Sequence, residues 1–84
     1  MSVSSWLVYL LKCSDGSIYT GITNNLNRRM KAHASGKGSK YVRSRLPFVL
    51  GCTFPCKDKS EALTLEARIK KMRALDKANL FAGG

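Results

Sequence analysis

Trp6-Leu7-Val8-Tyr9-Leu10-Leu11-Lys12-Cys13-Ser14-Asp15-Gly16-Ser17-Ile18-Tyr19-Thr20-Gly21-Ile22 holds two β-prone runs around a polar turn, and its reading decides the fold. Residues 6–11 are apolar throughout, the mark of a largely buried strand, and Ile18–Ile22 is a second strand candidate. Ser14-Asp15-Gly16-Ser17 between them supplies turn chemistry, so the stretch predicts an antiparallel hairpin. Two registers are open. A two-residue Asp15-Gly16 turn pairs Ser14 with Ser17 and sends Tyr9 and Tyr19 to opposite faces. A three-residue loop with Gly16 in the left-handed conformation pairs Cys13 with Ser17, Leu11 with Tyr19 and Tyr9 with Gly21, and both tyrosines then share one face.

Outward from the hairpin, Thr23-Asn24-Asn25 offers cap side chains for a helix to about Ala34, stopped at Ser35-Gly36. Leu26, Met30 and His33 form one helical stripe, and Arg29 lies on it while Arg28 and Lys31 point elsewhere. A basic residue on an apolar stripe is destabilising unless something there needs its charge. Gly36–Arg45, GKGSKYVRSR, reads as a basic loop with Tyr41 interleaved, and Phe48–Phe54 as a third strand. Asp58-x-x-Glu61 matches a capping box opening a second helix to about Leu75, with Ala62, Leu65, Ile69 and Met72 as its buried stripe and Glu66 beside it. Residues 76–84 are expected to form a loosely held tail, leaving a single domain over 1–84 with its core at about 6–75.

At 84 residues the chain is expected to make one small domain without a deep organic-cofactor cleft. Its 44% hydrophobic share is that of a folding sequence rather than a basic disordered tail. Fifteen Lys/Arg against five Asp/Glu give a net charge of +10, and the span Gly16–Lys57 contains no acid at all. Such a field calls for a polyanion. No apolar run approaches the roughly 20 residues that span a bilayer, and Met1–Ser5 lacks the features of a secretory leader. A cytoplasmic protein, in no contact with a membrane, is expected. Cys13, Cys52 and Cys56 do not make the even framework of a secreted scaffold. With His33 they would complete a Cys3His zinc set, but Cys52 and Cys56 bracket a strand-like stretch rather than a knuckle turn, and reduced thiols are the expectation.

The acids sort by elimination. Asp15 belongs to a turn, Asp58 and Glu61 to a cap and Asp76 to a helix end, which leaves Glu66 without a local duty. It is either the partner of Lys70 in an i,i+4 pair or a carboxylate that brings a hydrated divalent cation to a phosphate. Tyr9 and Tyr19 are packing residues or catalysts, and His33 a buried histidine or a base. Lys37, Lys40, Arg43 and Arg45 around Tyr41 are a solvated loop or a track for a nucleic-acid backbone with one stacking ring, and the net charge favours the track. A phosphate-binding G-x-x-x-x-G-K-[ST] loop is absent.

Taken together, Leu7-Val8-Tyr9, Tyr19-Thr20-Gly21 ten residues on, Arg28-Arg29, His33 and the helical Glu66 resemble the GIY-YIG nuclease domain, with both tyrosines and the glycine kept. The run YTGITNNLNRRMKAH followed by GKGSKYVR is similar to the small stand-alone GIY-YIG proteins of bacteria. The resemblance covers about Trp6–Leu75, and a DNA-targeting domain appended as in larger members is not expected. It implies an α+β fold, a three-stranded antiparallel sheet flanked by helices, and a Mg2+- or Mn2+-dependent endonuclease acting on DNA, with repair or recombination as the expected setting; the sequence leaves RNA open as a substrate. By the same resemblance, Tyr9 would deprotonate the attacking water and Tyr19 would orient it or share that role. Arg29 would bind the scissile phosphate, His33 would assist in orientation or proton transfer, and Glu66 would hold the cation. A shared site needs both tyrosines on one face, so the resemblance selects the three-residue loop, in which Gly21 leaves room opposite Tyr9 for a water and a phosphate. Arg28, Lys31, Lys37, Lys40, Tyr41, Arg43 and Arg45 are the expected nucleic-acid contacts, and a monomer is expected. The alternative is a binding module that keeps the fold without catalysis.

Overall fold

The computed structural model describes residues 6–83; the reading of Met1–Ser5 as no secretory leader lies outside them. The hairpin forms with β1 at Trp6–Lys12 and β2 at Ile18–Thr23. Its loop has three residues: Cys13 and Ser17 are joined by a 2.9 Å backbone hydrogen bond, and Gly16 takes a φ of 85°, a region only glycine enters freely. Leu11 therefore pairs with Tyr19, and Tyr9 with Gly21. The side chain of Asp15 fixes the loop by accepting from the backbone N–H and hydroxyl of Ser17.

The third strand, β3 at Val49–Cys56, pairs antiparallel with the other side of β1, so the sheet order is β2-β1-β3. It ends two residues beyond the expected Phe54 because Pro55, which has no N–H to donate, is tolerated on an edge strand. Tyr9 opposes Thr53 but Leu11 opposes Leu50, so β3 carries one extra residue at Gly51-Cys52 and bulges there.

Alternation along β1 splits the core. Val8 and Leu10 point to one face, where α3 (Lys59–Lys70) covers them with Ala62, Leu65 and Ile69. Tyr9 and Leu11 point to the other, covered by α1 (Leu26–Ala34) through Leu26 and Met30 and by α2 (Lys40–Arg43) through Val42. α3 opens on the expected cap: Asp58 Oδ1 accepts from the N–H of Glu61 at 2.8 Å, and Glu61 Oε1 accepts from that of Lys57.

Three expectations give way here. The basic stretch is not an open loop, because Ser39 Oγ accepts from the N–H groups of Tyr41 and Val42 and starts the single turn of α2. Residues 76–83 are not a loose tail, and the helix from Lys59 does not run on to Leu75. α3 stops at Lys70, Arg73 is extended, and α4 at Ala74–Phe81 turns back to pack Leu80 and Phe81 on the Val8 face. The space left by the missing side chain of Gly51 is filled by the Phe81 ring, which a Cβ would strike. Burying these two side chains outweighs continuing one helix that would carry them into water.

Candidate active site

On the sheet face covered by α1 and α2, the pleat and register bring the two tyrosines together, with ring centroids 6.3 Å apart. α1 delivers the other groups. Asn25 caps it by accepting from the N–H of Arg28 at 3.1 Å, and Thr23 Oγ1 accepts from the N–H of Asn25, so the last residue of β2 fixes the first turn of the helix. The helix ends on Gly36 at a φ of 82°, where Lys37 N–H donates to Ala32 O and Gly36 N–H to His33 O. That reversal lays Gly38 on the imidazole of His33 so closely that a Cβ there would collide with Nδ1.

Tyr9 is the hub. Its hydroxyl lies 2.8 Å from His33 Nε2 and accepts a long hydrogen bond from Arg29 Nε at 3.4 Å. Arg28, the other member of the pair, is exposed. Tyr9 and His33 are fully buried. Burial pushes the Tyr9 phenol above its ordinary value, the hydrogen bond from Arg29 opposes this, and the charges of Tyr19 and Glu66 add to the rise. His33 is pushed below its ordinary value by burial and by the neighbouring Arg29 charge, so at neutral pH the imidazole is uncharged. Its Nδ1, beneath Gly38, has no hydrogen-bond partner among the described residues.

The space at Gly21 is not a berth for water and phosphate. A Cβ there would sit 2.5 Å from Tyr9 Oη, so the absent side chain makes room for the Tyr9 phenol itself. Tyr19 is half-buried, its ring edge-on to His33 at 5.5 Å and stacked at 5.8 Å on Tyr41.

Glu66 stands apart. No hydrogen bond or ion pair joins it to Tyr9, Arg29 or His33; its carboxylate, 18% exposed, pairs with Lys70 at 3.3 Å, and its link to the cluster is the charge felt at Tyr9. A single hard carboxylate held by a weak i,i+4 pair suits one divalent cation that keeps most of its waters. Among the described residues no three His, Cys, Asp or Glu side chains converge as a metal cage, and Cys13, Cys52 and Cys56 are free thiols.

The basic residues divide into two sets. Lys37, Lys40 and Arg43 line one cleft of about 350 Å³ with Gly36, Gly38 and Ser39, beside the backbone that covers His33. Lys31 is exposed on α1. Arg45 is committed within the fold: its Nε donates to Asp15 Oδ2 at 2.9 Å and its guanidinium lies 3.8 Å from the centre of the Tyr41 ring. Tyr41, expected as a free stacking ring, is thus engaged by both Tyr19 and Arg45. Local sequence signals identified neither this Asp15–Arg45–Tyr41 chain nor the contact of Gly38 with His33, because both depend on how α2 folds back over the hairpin.

A family model described as the GIY-YIG catalytic domain matches residues 5–79. A UPF0213 protein of Nitratidesulfovibrio vulgaris is 47% identical over 66 residues, 79% of this chain and 60% of that protein. One from Cupriavidus pinatubonensis is 52% identical over 80 residues, 92% of this chain and 87% of its own. The solution NMR structure of a UPF0213 protein from Bacillus halodurans superimposes with a TM-score of 0.58 at 46% identity, covering 90% of this chain and 81% of that one.

Proposed function

The chain belongs to the GIY-YIG domain family, and from that premise we propose that it is a metal-dependent endonuclease that hydrolyses phosphodiester bonds in DNA. The observation that carries the reading is the position of Tyr9 Oη between Arg29 Nε and His33 Nε2. A guanidinium only donates, so Tyr9 oxygen accepts from Arg29 and its own proton is directed to the neutral Nε2 of His33. Tyr9 can therefore act as a relay: as its oxygen takes a proton from the water attacking phosphorus, its own proton passes to His33, so no free phenolate has to form against the raised phenol, and Arg29 stabilises the charge that develops on the oxygen. The remaining donors of the Arg29 fork serve the scissile phosphate and its developing charge, and Tyr19 orients the water. Mg2+ or Mn2+ held at Glu66 would supply electrostatic stabilisation of the departing oxygen.

The +10 surface and the Lys37–Lys40–Arg43 cleft support a nucleic-acid substrate held by its backbone. A second reading, a binding module without turnover, draws on the raised phenol of Tyr9 and the separation of Glu66 from the cluster. Nicking of single-stranded or branched DNA in Mg2+ or Mn2+ distinguishes them: the nuclease reading expects cleavage that Glu66→Ala abolishes. Unchanged cleavage in that variant would place the activity elsewhere.

A further inference from the structure

A second cleft, of about 520 Å³, opens beside the candidate site where the end of β2, the start of α1 and the first turn of α3 meet. Its walls include Trp6, Asn24, Arg28, Arg29 and Lys59, and no acid lines it. Arg29 belongs to both places, since it also donates to Tyr9. Arg28 and Lys59 are exposed, and neither is in an ion pair among the described residues. Lys59 Nζ stands 5.4 Å from the centre of the Trp6 ring, within the range at which an ammonium is held by an aromatic face. The half-buried Trp6 ring thus lines the cleft with Lys59 as its present partner, a contact that another cation or a stacking ring could replace.

We propose that this cleft is a nucleotide subsite for the residue flanking the scissile phosphate, with the base stacked on Trp6 and the adjoining phosphates held by Arg28 and Lys59. The assignment rests on the phosphodiester-cleaving reading of the Tyr9 site, which Arg29 couples to it. Three cations with an aromatic ring and no acid form a surface complementary to a nucleotide: the cations take the phosphates, and the indole takes the π-face that every base has. The volume falls within the range of sites that enclose a small organic ligand. A base entering the cleft displaces the Lys59 ammonium from the ring to the neighbouring phosphate. The base is read by stacking, so the subsite accepts any base and prefers unpaired strands.

Trp6 is the chain's one tryptophan, which makes its emission a local probe. The full chain is titrated in EDTA, so that nothing is cut, with an end-labelled single-stranded oligonucleotide, following label anisotropy and Trp6 fluorescence together. The account expects binding with quenching of Trp6, and binding with little quenching for an oligonucleotide of the same length carrying abasic positions. Arg28→Ala and Lys59→Ala each lower the slope of log affinity against log salt by about 0.7. Lys71→Ala, about 18 Å along from Lys59 by helical rise, leaves quenching intact. Trp6→Phe keeps an aromatic ring in the core and retains binding, whereas Trp6→Leu weakens it about tenfold. Full anisotropy with unchanged Trp6 emission, or equal quenching by the abasic strand, overturns the subsite and leaves the nuclease reading standing. Quenching by a free mononucleotide as strong as by the strand overturns its assignment to a flanking residue. Quenching that persists with no cleavage once Mg2+ is restored keeps the cleft as a nucleotide-binding site but denies the nuclease, and with it the assignment to a residue flanking a scissile phosphate.

Discussion

Tyr9 depends on a neighbour that contributes nothing but absence. With the phenol 2.5 Å from where a Gly21 Cβ would stand, Gly21→Ala must displace either the strand or the tyrosine. The expected result is a loss of about 1–3 kcal/mol of stability by overpacking and at least about a hundredfold loss of cleavage, since misplacement by about 1 Å has that effect. Thermal melts and initial rates on Gly21→Ala check both. Stability depends on pH through His33. Its folded-state pKa lies below the ordinary value, so the unfolded chain binds the extra proton and stability is fully present above about pH 6.5 and is lost as pH falls below it. Melts at pH 7.5 and pH 5 should differ in wild type by up to about 1.4 kcal/mol per pH unit, and His33→Gln should flatten the difference; an equal acid loss in both would remove His33 as its source. That Arg29 rather than Arg28 turns toward the covered face was legible from the helical stripe. The role of Gly21 was not, because a strand pattern shows which residue opposes Tyr9 but not where the phenol leans.

Among the elements, the hairpin and α1 were readable because each carries its own punctuation. Gly16 and Asp15 make the three-residue loop, Asn25 starts α1 and Gly36 ends it, and each does so through local hydrogen bonds or a positive φ. The bare pattern still left two hairpin registers open, and the observed one coincides with that of a shared tyrosine face. α4 was not readable. The stretch from Lys70 to Lys77 contains neither glycine nor proline, and the break at Arg73 is imposed by the fit of Phe81 over Gly51, a contact between positions thirty residues apart. Phe81→Ala should therefore lower stability by about 1–2 kcal/mol, as expected for a half-buried ring, measured by denaturant melts. No change would mean that α4 is held only weakly against the sheet.

At the scale of the molecule, a +10 charge on 84 residues selects a polyanion without choosing what is done to it. The fold narrows the choice by burying Tyr9 and His33 on one sheet face, setting the partly exposed Arg29 against Tyr9, and placing basic clefts beside them. On the proposed reading affinity and chemistry are separable, since contacts to the nucleic-acid backbone would hold the strand while the cluster, with a cation at Glu66, would make the cut. Their separation is tested most directly by measuring DNA binding and Mg2+-dependent cleavage on the same samples of wild type, Tyr9→Phe and Arg29→Ala. The account predicts that all three bind, that wild type cleaves, and that Tyr9→Phe loses about 10²–10⁴-fold in rate while Arg29→Ala loses cleavage beyond its loss of affinity. Binding by all three with cleavage by none, or a Tyr9→Phe rate equal to wild type, would contradict it.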